Sequence, residues 1–192
     1  MTALVINLRP IINLTDDEFY EFCQHNSDLR IERTATGALV VMPPTGGESG
    51  HRNADLTTDV NLWNRQTELG IVFDSSTVFK LPNGANRSPD VAWITNERWN
   101  ALSVEQQKKF PPIAPDFVIE LRSETDTLKD LQEKMREYMG NGVRLGWLID
   151  PQIRQVSIYR PDQPAETLQS PTTLSGEAVL PRFVLDLSRI FG

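Results

Sequence analysis

The sequence contains one cysteine, Cys23, among 192 residues. No internal disulfide can form, and a cysteine-rich zinc site is excluded. A reducing cytoplasm is therefore the expected compartment. There are two histidines and no G-x-S-x-G, so a hydrolase triad lacks support. Gly46-Gly47-Glu48-Ser49-Gly50 lacks the spacing and the lysine of a phosphate-binding P-loop. No run approaches the roughly 18 consecutive apolar residues of a spanning helix. The opening MTALVINLRPIINL has no basic leader before a long apolar stretch, and no secretion signal is read. Basic charge is in deficit, with 19 Lys and Arg against 26 Asp and Glu, a net of −7. Such a chain does not coat a polyanion by charge alone, because phosphate contacts need clustered cations. A metal ion with a local basic rim could still meet one.

What is present is ordinary for a globular chain: 39% apolar and 23% charged residues. The length suits one α/β domain over 1–192. Thr15-Asp16-Asp17-Glu18 predicts a capping box and a helix to about Asn26. Leu29–Arg33 and Ala38–Met42 read as a hairpin. Pro43–Gly50, with its prolines and glycines, reads as a loop. Arg52–Leu69 has apolar residues at Leu56, Val60 and Trp63, a helical spacing that Gly70 ends. Short strands follow at Ile71–Phe73, Thr77–Leu81 and Pro89–Ile94. Asn96–Lys109 is helical in pieces, with Ser103 as a cap. Asp116–Arg122 is apolar on both faces and predicts a central strand. A helix over Asp126–Met139 and strands at Val143–Ile149 and Arg154–Tyr159 complete the regular part. The four tryptophans, Trp63, Trp93, Trp99 and Trp147, lie in or beside apolar runs and read as core or interface rather than base-stacking platforms.

Three features carry chemistry. Pro89-Asp90 opens a strand, Glu120-Leu121-Arg122 lies within another, and the helix after it carries Lys134. Residues two apart in a strand share a face, which places Glu120 with Arg122. A buried acid and base need partners or a metal. Asp90, opening a neighbouring strand, could supply a second carboxylate. Two carboxylates and a backbone carbonyl make a hard oxygen site for Mg²⁺ or Mn²⁺. A nearby cation could then steady charge on a transferring phosphoryl group.

The runs RSPDVAWI, PDFVIELRSETD, EKMREYMGNGVRLGWLIDP and VSIYRP, with MPPTGG and LPNGANRSPD before them, resemble the Uma2 family of restriction-endonuclease-like proteins. The resemblance spans about Leu29 to Phe191. It implies a restriction-endonuclease-like mixed β-sheet flanked by α-helices, here with extra N- and C-terminal strands. It implies a nuclease of the PD-(D/E)xK kind. Asp90 and Glu120 then match the motif acids and Arg122 the basic third member. Glu48, just before the first long helix, matches a further acid more loosely. Arginine at 122 departs from the usual lysine; it stays protonated and cannot act as a general base. Lys134, on the next helix, could supply the lysine instead. The implied reaction is hydrolysis of nucleic acid, DNA foremost, with Mg²⁺ or Mn²⁺ held by Asp90, Glu120 and Glu48. Arg122 and Lys134 would balance charge, and a homodimer would suit symmetric cutting.

Each residue also has a plainer reading. Asp90 can cap a turn. Glu120 can pair with Arg122 or Arg87, as structural ion pairs do. Lys134 can belong to a solvated face with Glu133, Arg136 and Glu137. Glu48 can be a loop carboxylate. A binding or regulatory module without turnover is the competing function. A third possibility is self-association through an edge strand such as VSIYRP.

Overall fold

A six-stranded mixed sheet, a five-stranded antiparallel sheet and a two-stranded hairpin make up the strands of the described residues. These come from a computed structural model that describes residues 3–192. In chain order the elements are β1 (Leu4–Ile6), α1 (Asp16–His25), β2 (Arg30–Arg33), β3 (Leu39–Met42), α2 (Gly47–Thr67), β4 (Gly70–Asp74), β5 (Phe79–Lys80), β6 (Asn86–Arg87), β7 (Val91–Thr95), α3 (Asn96–Asn100), α4 (Val104–Lys108), β8 (Phe117–Leu121), α5 (Leu128–Gly140), β9 (Leu145–Asp150), β10 (Gln155–Tyr159), β11 (Glu166–Gln169), β12 (Thr173–Ser175), β13 (Val184–Asp186) and α6 (Ser188–Phe191). The large sheet has the order β11-β10-β9-β8-β7-β4 and the smaller one β1-β3-β2-β6-β5. The architecture is the mixed α/β arrangement expected, with the added strands at both ends.

β8 lies inside the large sheet, as its two apolar faces demand, and all five of its residues are buried. It pairs antiparallel with β7 and parallel with β9. A parallel neighbour needs a crossover, and α5 provides it. Alternate residues of β8 serve two cores. Phe117, Ile119 and Leu121 pack with Trp93, Trp147 and the Leu56, Val60, Trp63 stripe of α2. Val118 packs on the other face with Ala92, Ile94, Leu148 and the α5 residues Met135 and Tyr138. A third, small cluster of Phe19, Ile31 and Leu39 lies between α1 and the smaller sheet. The tryptophans Trp63, Trp93 and Trp147 are core residues, as expected.

Local signals account for most boundaries. Thr15 and Ser103 each form the complete capping box that starts α1 and α4. Two expectations fail. The glycine loop is not a loop throughout, since Gly46 is the N-cap and α2 begins at Gly47. Nor does Gly70 close that helix: Glu68 takes the left-handed C-cap position with φ 52°. Gly70 starts β4, where a Cβ would stand 2.2 Å from the Ile94 carbonyl oxygen. It is a residue of close approach. VSIYRP is no free edge either, because β10 is paired on one side with β9 and on the other with β11. Among the described residues no helix is long and apolar enough to cross a membrane.

Candidate active site

Asp90 stands immediately before β7. The β7–β8 register pairs Val91 with Ile119, and one further step brings position 90 opposite position 120. The Leu121 N–H donates to Asp90 Oδ2 at 2.8 Å, and Asn53 Nδ2 on α2 donates to Oδ1 at 2.9 Å. Burial raises the pKa of the Asp90 carboxyl, against the opposing pull of the Leu121 N–H, Lys134, Arg30 and Asn53. Asn53 Oδ1 is buried and has no hydrogen-bond partner among the described residues.

Glu120 is 4% exposed. Its Oε1 accepts from the Tyr138 hydroxyl at 2.9 Å and from Lys134 Nζ at 2.8 Å. Both donors come from α5, one helical turn apart, so one face of that helix grips the carboxylate. Burial pushes the Glu120 carboxyl up to about 7; Lys134 opposes this, while Asp90 and Glu32 add to it. Lys134 Nζ also lies 2.8 Å from Glu32 Oε1 and 3.3 Å from the Ser88 carbonyl oxygen. An ammonium has three donors, and three acceptors surround this one. Burial disfavours its charge, but Glu120 and Glu32 more than compensate and hold it above the ordinary lysine range.

Glu32 escaped the sequence reading. It sits in β2, is 4% exposed, and accepts from Lys134, from Arg87 Nη1 at 3.0 Å and from the Ser88 N–H at 2.9 Å. Burial would raise its pKa, yet Lys134 and Arg87 together bring it below the usual glutamate value. Arg87 also donates to Glu137 Oε2 at 2.5 Å. The available signal was a glutamate between two residues of a buried strand, facing Val40 across the hairpin. The predicted ion pair of Glu120 with Arg87 or Arg122 is replaced by one with Lys134. Lys134 is correspondingly a buried ion-pair residue and not part of the solvated face.

Asp90, Glu120 and Lys134 are brought together; Arg122 and Glu48 are not. β8 ends at Leu121, so strand alternation does not carry Arg122 into the site. Its Nη1 lies 2.7 Å from Oδ2 of the buried Asp150, and its Nε donates to the Asp126 carbonyl at 3.3 Å. It fastens the β8–α5 loop to the end of β9. Glu48 lies in the first turn of α2, largely exposed, with Arg52 Nη2 2.7 Å from its Oε1. It reaches the rim of the cleft and, among the described residues, joins no carboxylate cluster.

Among the described residues no three histidine, cysteine, aspartate or glutamate side chains converge as a complete metal cage. Mg²⁺ does not need one, since it keeps several waters and is held through one or two carboxylates. Among the described residues, Asp90 has one hydrogen bond on each oxygen and Glu120 Oε2 receives none. With the unpartnered Asn53 Oδ1 beside them, these residues fit a hydrated divalent ion. The site opens into a cleft of about 1210 Å³.

The sequence matches the family Uma2, described as "Putative restriction endonuclease", over residues 16–188. The crystal structure of a protein from Anabaena variabilis, described as "a putative nuclease belonging to DUF820", shares the fold. Its TM-score is 0.74 at 20% identity, over 93% of this chain and 97% of that one. Comparison with curated proteins found no match.

Proposed function

We propose, from the premise that this chain belongs to the Uma2 family, that it hydrolyses phosphodiester bonds of nucleic acid at Asp90, Glu120 and Lys134. One observation carries the reading: Lys134 Nζ lies 2.8 Å from Glu120, beside the position that the sheet register assigns to Asp90. Asp90 and Glu120 would hold one Mg²⁺ or Mn²⁺. Bound there, the ion would polarise the phosphate and supply an activated water. The chain's own residues do the rest. Asn53 and the Leu121 N–H aim Asp90. Tyr138 and Lys134 aim Glu120, which releases its proton near neutral pH. Lys134 stays charged and can donate to a non-bridging phosphate oxygen as negative charge develops. Arg122 has no part in this scheme.

The family description supports DNA as the polymer, and symmetric cutting of two strands would take a homodimer. A second reading, binding without turnover, has its own support: nine carboxylates line the cleft against three cations. Calorimetric titration with Mg²⁺ or Mn²⁺ separates the two when combined with a cleavage assay. The nuclease reading expects binding that Glu120→Gln removes, and cleavage that Asp90→Ala abolishes. Metal-loaded protein that cuts neither DNA nor RNA, with Asp90→Ala inert as well, would falsify it.

A further inference from the structure

The three cations of the cleft are not equivalent. Arg87 is neutralised by Glu32 and Glu137. Lys134 is neutralised by Glu32 and Glu120. Arg30, the first residue of β2, has no carboxylate partner among the described residues. Its Nη2 donates to the Ser75 carbonyl at 2.7 Å and its Nη1, at the long distance of 3.4 Å, to Thr45 Oγ1. Both acceptors are neutral, and a guanidinium has five donors in a planar fork. The remaining donors have no protein acceptor among the described residues. The charge nonetheless faces the site, because Arg30 lines the same cleft as Asp90, Glu120 and Lys134. Thr45, Asn53 and Ser75 border the main cleft and also a second groove of about 450 Å³ along α2. That groove is lined by Thr57, Thr58 and Asn61, and Asp74 is its one carboxylate. The groove carries one carboxylate where the cleft carries nine.

We propose that Arg30 is the substrate-binding guanidinium of this site, gripping a backbone phosphate of one nucleic-acid strand next to Asp90 and leading that strand into the groove along α2. Arginine suits the task because its fork matches two phosphate oxygens at once. The strand crosses the site singly, since the acids that crowd the rest of the cleft repel a second polyanion. The proposal rests on the nuclease reading for its substrate and adds the residue that holds it.

The test uses the full chain and a fluorescein-labelled phosphorothioate single-stranded DNA, which resists hydrolysis. Binding is followed by anisotropy in Mg²⁺. Arg30→Ala should weaken it at least tenfold and reduce the slope of log K against log salt by about 0.7, the value for one lost phosphate contact on a single strand. Arg30→Lys should recover part of the affinity, because charge returns without the fork. Calorimetric Mg²⁺ affinity should stay equal or become tighter in Arg30→Ala, since a cation near Asp90 has gone. Equal DNA binding by wild type and Arg30→Ala overturns the proposal, as does a wild type that does not bind. So does an Arg30→Ala protein that loses Mg²⁺ affinity and melting temperature together, which marks a structural role. Weakened DNA binding in Arg30→Ala, with a wild type that cuts nothing and an inert Asp90→Ala, keeps the phosphate grip and removes the hydrolysis reading.

Discussion

At the scale of single residues, the distribution of charge decides the chemistry. Glu32 has two cations within 3.0 Å, whereas Glu120 has only its share of Lys134. Both are buried, yet their acidities move apart: Glu32 falls and Glu120 rises to about 7. The folded chain therefore keeps the Glu120 proton across a range where the unfolded chain, starting from 4.5, has lost it. Stability from this group is complete below 4.5 and disappears as pH climbs through about 7. Its full size is on the order of 3 kcal/mol. Urea unfolding at several pH values should show that loss in the wild type and not in Glu120→Gln, measured as the difference between the proteins. If Glu120 holds Mg²⁺ as proposed, the ion displaces the same proton, so its affinity should rise as pH increases towards 8. A pH-independent affinity would contradict the assignment of Glu120 as ligand. Removing the shared anion has a different signature. Glu32→Gln leaves Arg87 with Glu137 alone and Lys134 with Glu120 alone, and should cost about 3 kcal/mol by breaking a buried network. An unchanged unfolding midpoint would show that Glu32 is not holding these cations.

At the scale of elements, β8 and α5 form the device that presents the site. β8 delivers Glu120 from a strand buried on both faces, and α5 returns Lys134 and Tyr138 over it. β7 brings Asp90 alongside, and its fit depends on β4 lying flush against it. Gly70 permits that approach, because any side chain there meets the Ile94 carbonyl and the Trp93 ring. Gly70→Ala should destabilise the fold by roughly 3 kcal/mol, in the range for overpacking at a site that cannot yield. Thr15→Ala, which removes only the cap of α1, should cost about 1 kcal/mol. Thermal melts of the pair test this ranking; the reverse order would mean that β4 shifts freely. The capping boxes, the hairpin and the central strand were legible because each is written in neighbouring residues. The start of α2 was not. Two glycines read as breakers locally, but here they supply an N-cap and a first turn whose helix is held by Leu56, Val60 and Trp63 further on.

At the scale of the whole molecule, a chain with net charge −7 presents an acidic cleft to its surroundings. Saturating Mg²⁺ should stabilise the folded protein, by about 2.7 kcal/mol at a hundred times its dissociation constant, and should not stabilise Asp90→Ala. An equal shift in both proteins would point to general screening of the acidic surface. The amino-acid sequence by itself determined the α/β elements, the buried central strand, and the two acids and one lysine that the fold assembles. Hydrophobic period, capping residues and a charge in an apolar strand are local signals. Only the tertiary structure decided which charges meet. It gave Lys134 to Glu32 as well as Glu120, sent Arg122 to Asp150, and left Arg30 without an acidic partner among the described residues. Those outcomes depend on the packing of β2, β8, β9 and α5, which lie far apart in the chain. An ion pair forms where burial makes an unpaired charge costly, and burial is a property of the assembled fold.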